Sequence, residues 1–129
     1  MKIRISDERK LGEIQEEFHR QFPFLKIEFS HLSNSIVKSS QKNSAINGET
    51  TIGVASKMHS VDQIYIEPQQ SVSEIKKLFR DKYGLQIQVS RNSGNAWIPS
   101  TATDYWTLHE QNKQGEMLST PGGFHDWDD

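Results

Sequence analysis

The feature that most constrains this chain is an internal repeat. Residues 2–24 align without a gap with residues 63–85. A repeated segment of this length corresponds to one supersecondary unit, and two copies can bury their apolar faces against each other. The sequence therefore predicts two related β-α-β units, at about 2–30 and 63–90.

Within each copy, the spacing of apolar residues changes from alternation to a helical period and back. Alternation predicts a half-buried strand, and a stripe at helical spacing predicts an amphipathic helix. The two stripes are Leu11, Ile14, Phe18 and Phe22 in the first copy, and Val72, Ile75, Phe79 and Tyr83 in the second. After the helix the register slips by one residue, so that Leu25–Ser30 aligns with Leu85–Ser90.

Local signals define the ends of these elements. Ser71 with Glu74 has the spacing of a capping box, and Gly84 can adopt the left-handed conformation that closes a helix. Ser93-Gly94-Asn95 predicts a turn, after which Ala96–Ile98 returns as the second strand of a hairpin. Thr107 with Glu110 predicts a further helix, which we expect to be short and to end at Gly115.

Two β-α-β units related by a pseudo-twofold axis predict an α+β fold of the ferredoxin-like type, a split β-α-β sandwich. We expect one domain over 1–115, with a mobile loop over 31–50 because that segment is rich in serine and poor in large apolar residues. A short strand is expected over 51–56. Residues 116–129 combine Pro-Gly-Gly with acidic residues and predict a disordered acidic tail.

Composition excludes several classes of function. The chain has no cysteine, which excludes disulfides, thiolate zinc sites, iron–sulfur clusters and cysteine nucleophiles. The formal net charge of −2 gives no general attraction to nucleic acid or anionic membranes. No apolar run has the length of a membrane span, and the N-terminal segment alternates charged and apolar residues, unlike a signal peptide. We therefore expect a cytoplasmic protein with no membrane partner, and the sequence contains no motif for a metal or a cofactor.

The C-terminal half contains a more specific pattern. The segment 84–97 is followed by Thr101-Ala-Thr-Asp-Tyr-Trp-Thr-Leu-His-Glu-Gln-Asn112 and Gly115. This part of the chain resembles a group of small uncharacterised bacterial proteins, and the pattern Thr-Asp-x-Trp-Thr-Leu-x-x-Gln-Asn is the most specific part of the resemblance. The resemblance implies a bacterial origin, and it implies no activity.

Aromatic and polar residues are densest in residues 91–112. Tryptophan combines a large apolar area with one N–H donor, which is common at recognition surfaces. We therefore predict a non-enzymatic binding module whose partner is a protein. The candidate recognition residues are Arg91, Asn92, Trp97, Thr103, Asp104, Trp106, Gln111 and Asn112.

Two other functions stay open. The first is a small enzyme or small-ligand protein that uses Arg91, Asp104 and Glu110 in a cleft beside Trp97. The second is binding of single-stranded nucleic acid on the open sheet face, although nucleic acid is disfavoured because that face has a single aromatic residue. The residues expected on that face are Lys2, Arg4, Lys26 and Tyr65. The same face can mediate self-association, so we expect a monomer or a weak homodimer.

Overall fold

A computed structural model describes residues 1–31, 45–56 and 62–119 of the chain. These segments contain five strands and four α-helices, together with a 3-10 helical turn at Thr101–Thr103. The strands are β1 Lys2–Ile5, β2 Leu25–His31, β3 Asp62–Tyr65, β4 Leu85–Ser93 and β5 Ala96–Pro99. The helices are α1 Leu11–Gln21, α2 Ile52–Ala55, α3 Val72–Tyr83 and α4 Leu108–Ser119.

The strands form two antiparallel sheets. One has two strands, β1 and β3, and the other has three, in the order β2-β4-β5. Ile3 lies opposite Ile64 in the first sheet, and Glu28 lies opposite Gln88 in the second. Both pairs are also equivalent positions of the internal repeat. Each strand of the first unit is therefore paired with its own counterpart in the second unit.

This pairing confirms an α+β fold built on the repeat, but it does not confirm the ferredoxin-like order. In a ferredoxin-like sheet the first and third strands are central, and the second and fourth form opposite edges. Among the described residues, β4 pairs with β2 and β5, whereas β1 pairs with β3 alone. The repeat pattern is compatible with either order because both preserve a twofold relation and the same alternation of apolar side chains.

The helices of the two units form where their apolar stripes predict. The Ser71–Glu74 capping box is present, with hydrogen bonds of 2.8 and 3.1 Å, and Gly84 closes α3 with a φ of 66°. Ile14 and Phe18 of α1 and Ile75 and Phe79 of α3 are fully buried in one apolar core with strand residues from both sheets.

Two segments differ from the sequence prediction. In the segment predicted as a mobile loop, His31 is the last residue of β2, and the Ile46 N–H donates to Phe29 O at 2.7 Å. Residues 32–44 lie outside the described residues. The strand predicted over 51–56 is wrong, because Ile52–Ala55 is the single helical turn α2. There the Gly53 N–H donates to Asp7 O at 3.0 Å, so a long-range backbone contact overrides the β preference of this short segment.

The C-terminal helix is longer than predicted. Gly115 does not end α4, which continues to Ser119, so the prediction of disorder is wrong for residues 116–119. Residues 120–129 lie outside the described part of the chain. A Cβ at Gly115 would lie 2.9 Å from Phe24 Cβ and 3.1 Å from Arg91 Cγ, so this glycine allows α4 to approach β4 closely. None of the helices in the described segments has the length and apolarity to cross a membrane.

Candidate functional site

The inner face of α4 holds a hydrogen-bond network with Arg91 of β4, which we call the Arg91 network (Arg91, Thr103 and Gln111). The Arg91 Nη1 donates to Gln111 Oε1 at 2.7 Å. The fully buried Gln111 donates its Nε2 to Thr103 O at 2.7 Å and to Thr103 Oγ1 at 2.9 Å. The Arg91 guanidinium also lies 5.6 Å from the centre of the Trp106 ring. The network therefore joins β4, the 3-10 turn and α4.

Asp104 is bonded to a different set of residues. Its Oδ1 accepts from the Ser100 hydroxyl at 2.7 Å, and its Oδ2 accepts from Lys76 Nζ at 2.5 Å. Its carbonyl oxygen accepts from the Ser73 N–H at 2.9 Å. Asp104 thus attaches the segment after β5 to the first turns of α3.

The remaining polar candidates also make internal bonds. Asn112 Oδ1 accepts from the Phe24 N–H at 2.9 Å, and Asn92 Oδ1 accepts from the Ser119 hydroxyl. Glu110 caps α4, since its Oε1 accepts from the Thr107 N–H at 2.9 Å while its own N–H donates to Thr107 Oγ1 at 3.0 Å. All seven polar candidates among residues 91–112 are therefore hydrogen-bonded within the protein.

The two tryptophan candidates lie in different environments. Trp97 of β5 is 37% exposed, and Lys26 Nζ lies 4.9 Å from the centre of its ring. His19 of α1 approaches the same ring edge-on at 6.0 Å between ring centres. Trp106, in the segment that connects β5 to α4, is partly buried and lies beside the Arg91 guanidinium. The structure thus does not bring Trp97 and Trp106 into one surface.

A cavity of about 260 Å³ opens on the outer face of α4, and we call it the α4 groove. It is lined by Trp106, His109, Glu110, Lys113, Gln114 and Met117. Met117 is 50% exposed, and the neighbouring Tyr105, whose ring meets that of Trp106 edge-on, is 74% exposed. Lys113 makes no ion pair with any described residue. The groove therefore combines exposed apolar surface with a free cation.

Of the groove residues, Trp106 and Glu110 were candidates from the sequence, whereas His109, Lys113, Gln114 and Met117 were not. Lys113 and Met117 follow Trp106 at intervals that place them on one helical face, opposite Leu108 and Gly115. This helical spacing was the available signal. The helix predicted to end at Gly115 did not include Met117, so the full stripe was not recognised.

The residues of the enzyme hypothesis do not converge. Arg91 bonds Gln111, Asp104 bonds Lys76, and Glu110 caps α4. Among the described residues, none of these three side chains is hydrogen-bonded to another of the three. In addition, no cluster of three or more potential metal ligands occurs among residues 1–31, 45–56 and 62–119.

The residues of the predicted open sheet face are divided between the two sheets. Lys2, Arg4 and Tyr65 are exposed on the β1–β3 sheet. Lys26 belongs to the other sheet and is half-buried against Trp97. The four side chains therefore do not form the single continuous face that we expected for base stacking.

The basic residues of α3 are neutralised by neighbouring carboxylates. The ion pairs are Lys76–Asp104, Lys77–Asp81, Arg80–Asp81 and Lys82–Asp62. The hydrogen bond from Lys77 lowers the pKa of Asp81, and the hydrogen bond from Lys82 lowers the pKa of Asp62. Helix α3 thus offers little unpaired positive charge to an acidic partner.

The chain matches no protein-family model, no curated protein and no solved structure. The resemblance noted in the C-terminal half therefore stays a prediction, and function has to be inferred from the site itself.

Proposed function

We propose that this chain is a non-enzymatic interaction module that binds a peptide segment of a protein partner in the α4 groove. The observation that carries the proposal is an apolar wall, formed by the partly buried Trp106 and the half-exposed Met117, beside Lys113. Buried tryptophan and adaptable methionine side chains are frequent anchors of peptide and protein interfaces. The partner segment should present an aromatic side chain next to a carboxylate.

The size of the groove favours a peptide side chain over a whole small molecule. Small-molecule sites usually enclose about 300–1,000 Å³, and the α4 groove, at about 260 Å³, is at the small end of these sizes and open to solvent. A peptide needs to bury only one or two anchor side chains, and its backbone can stay on the surface.

The engaged polar residues support the same proposal. Arg91, Asp104 and Glu110 make bonds that attach the 3-10 turn and α4 to the rest of the fold. A peptide-binding module needs these bonds, because a rigid scaffold lowers the entropic cost of binding. The buried network is therefore the support of the recognition surface and not the surface itself.

The proposal is tested by selecting a displayed library of random peptides against the full chain, with nuclease present to remove bridging nucleic acid. Peptides with an aromatic residue beside Asp or Glu should be enriched. Their affinity should fall at least about tenfold in Met117→Asp and Lys113→Glu, which is about 1.4 kcal/mol.

The matched control is Val54→Asp, which places the same charge on a side chain of α2 that is 78% exposed. This variant should bind the selected peptides as the wild type does. Enrichment of no peptide, or equal binding by all the variants, would contradict the proposal.

A further inference from the structure

We infer that β5 is a self-association surface, which pairs antiparallel with β5 of a second copy around a twofold axis at Trp97. Strand β5 contributes no residue to the α4 groove, so this inference goes beyond the proposed function. The pairing would join the three-stranded sheets of two copies into one continuous sheet. The observation that carries the inference is an apolar, uncharged strand edge to which no described segment bonds.

Strand β5 lies at the edge of the sheet β2-β4-β5, and its side away from β4 is called the free edge. All of its residues, Ala96–Pro99, are apolar and exposed. Natural proteins usually protect an edge strand with charged side chains or a covering segment, because its unpaired N–H and C=O groups attract other strands. None of residues 92–103 is charged. The free edge of β5 therefore lacks the protection by charge that discourages strand pairing.

The register of the β4–β5 hairpin determines which backbone groups of β5 point outward. The Ser100 N–H donates to Val89 O at 2.9 Å, so these two residues form a hydrogen-bonded pair. Hydrogen-bonded and non-hydrogen-bonded pairs alternate along antiparallel strands. The N–H and C=O of Trp97 and the C=O of Pro99 therefore point to the free edge. Among the described residues, these groups have no hydrogen-bond partner.

These outward groups favour a second copy over a long strand from another protein. Pro99 has no N–H, so the only outward donor of β5 is the Trp97 N–H. A long foreign strand would leave one of its carbonyls without a donor opposite Pro99. A twofold axis at Trp97 instead lets each Trp97 N–H donate to the Trp97 carbonyl of the other copy. Twofold dimers are also the commonest symmetric assemblies.

The side chains next to the free edge permit the approach of an identical strand. The Trp97 ring is turned back across the sheet, since Lys26 Nζ of β2 lies 4.9 Å from its centre and the His19 ring lies 6.0 Å away. Strand β2 is on the far side of β4, so Lys26 is kept away from the proposed axis. On the other face of the sheet, Ile98 would lie opposite Ala96 of the second copy. Both are exposed and apolar, so no like charges meet.

The small length of β5 predicts weak association. Stable interfaces bury about 1,600 Å² in total, and two strands of four residues bury much less than that. We therefore expect the dimer to form only at high protein concentration. A suitable test has to capture a minor species and to report the register of the pairing.

Disulfide capture meets both needs, because the chain has no cysteine of its own. In the proposed register, Ala96 and Ile98 of the second copy form a non-hydrogen-bonded pair with Cα atoms about 4.5 Å apart, within the range for a disulfide. In either single variant the two cysteines are diagonal neighbours about 7–8 Å apart. A mixture of Ala96→Cys and Ile98→Cys should therefore cross-link at least about tenfold faster than either variant alone.

A second pair of variants tests the backbone bonds at the axis. Trp97→Pro, added to both cysteine variants, removes the outward N–H without removing a bond between β4 and β5. It should abolish the excess cross-linking of the mixture. Trp97→Ala, which keeps the N–H, is the matched control and should preserve most of the excess. Circular dichroism verifies that all the variants are folded.

The remaining outcomes contradict the inference in different ways. Equal cross-linking by the mixture and by each variant alone would indicate random collisions in no fixed register. Excess cross-linking that survives Trp97→Pro would show that the backbone bonds at the axis do not form. If the mixture shows no excess and library-selected peptides lose binding in Trp97→Pro but not in Met117→Asp, a foreign strand occupies the edge instead of a second copy. The proposed function is tested separately, by Met117→Asp and Lys113→Glu in the α4 groove.

Discussion

On its inner face, α4 buries Leu108, Gln111 and Gly115 against β4, whereas on its outer face it exposes His109, Lys113 and Met117 beside Trp106. Both faces carry polar and apolar side chains. The difference is whether their hydrogen-bonding and apolar groups already have partners inside the protein. On the inner face Gln111 bonds Arg91 and Thr103, whereas on the outer face Lys113 makes no ion pair with any described residue.

This comparison shows why residue type alone is a poor guide to a recognition surface. Arg91, Asp104 and Gln111 are residue types found at interfaces, but each has a bonding partner in the fold. A buried polar group that keeps its partner supports the native structure, and losing that partner costs more than the bond contributes. The surface available for binding is what remains after these internal bonds are made.

The largest loss of stability is expected from a substitution on the inner face of α4. Gln111→Leu preserves most of the buried volume but leaves the Thr103 carbonyl and Arg91 Nη1 without their bonds of 2.7 Å. Because both groups are buried or half-buried, we expect a loss of about 2–4 kcal/mol in the free energy of unfolding. Chemical denaturation monitored by circular dichroism measures it.

The matched substitution on the outer face is Gln114→Leu, because Gln114 lines the groove. It should change stability by less than about 0.5 kcal/mol. Equal losses in the two variants would remove the distinction between the two faces of α4.

A smaller loss of stability is expected from a substitution at Gly115, where α4 approaches β4. Alanine in place of glycine normally stabilises a helix by up to about 1 kcal/mol. In Gly115→Ala, however, the new methyl group would lie 3.0 Å from Phe24 O and 3.1 Å from Arg91 Cγ. We expect a net loss of about 1–3 kcal/mol, measured as a lower midpoint of thermal unfolding.

Gln114→Ala, one residue earlier in the same helix, is the control and should leave the midpoint almost unchanged. A gain of stability in Gly115→Ala would show that α4 can move away from β4 at little cost, and the close packing of the inner face would have to be abandoned.

The smallest effect on stability concerns the hydroxyl of Tyr83, the last residue of α3, which donates to Asp62 Oδ2 at 3.3 Å. Burial, with smaller contributions from the charge of Asp62 and the hydrogen bond to it, raises the pKa of Tyr83 to about 12. The unfolded-state pKa is about 10. Because the folded value is higher, this contribution to stability is complete below pH 10 and is lost as the pH rises from about 10 to 12.

At pH about 11, the wild type should therefore have lost about 1 kcal/mol relative to Tyr83→Phe, after each is referred to its stability at neutral pH. Denaturant titrations across this range measure the difference. Tyr105→Phe, which removes an exposed phenol beside the α4 groove, is the matched control. Parallel pH profiles for the wild type and Tyr83→Phe would contradict a bonded phenol at Tyr83.

Much of the local structure could be predicted because its causes lie within a few residues. The apolar stripes of α1 and α3, the two capping boxes and the left-handed Gly84 and Gly94 all depend on neighbours in sequence. The hairpin between β4 and β5 follows from the turn at Ser93-Gly94-Asn95 in the same way. The candidate site was predicted only in part. Trp106 lies in the groove, but the polar candidates Arg91, Asp104 and Gln111 are bonded within the fold.

The sequence by itself determined the repeat, the type of most elements and the side chains that enter the core, because period and capping act locally. Only the tertiary structure decided that β4 lies beside β2, that Gly115 is a packing position and that Asp104 bonds Lys76. Several orders of strand pairing satisfy the same alternation of polar and apolar residues. The choice among them depends on packing between distant segments, and that packing leaves one face of α4 bonded and the other exposed.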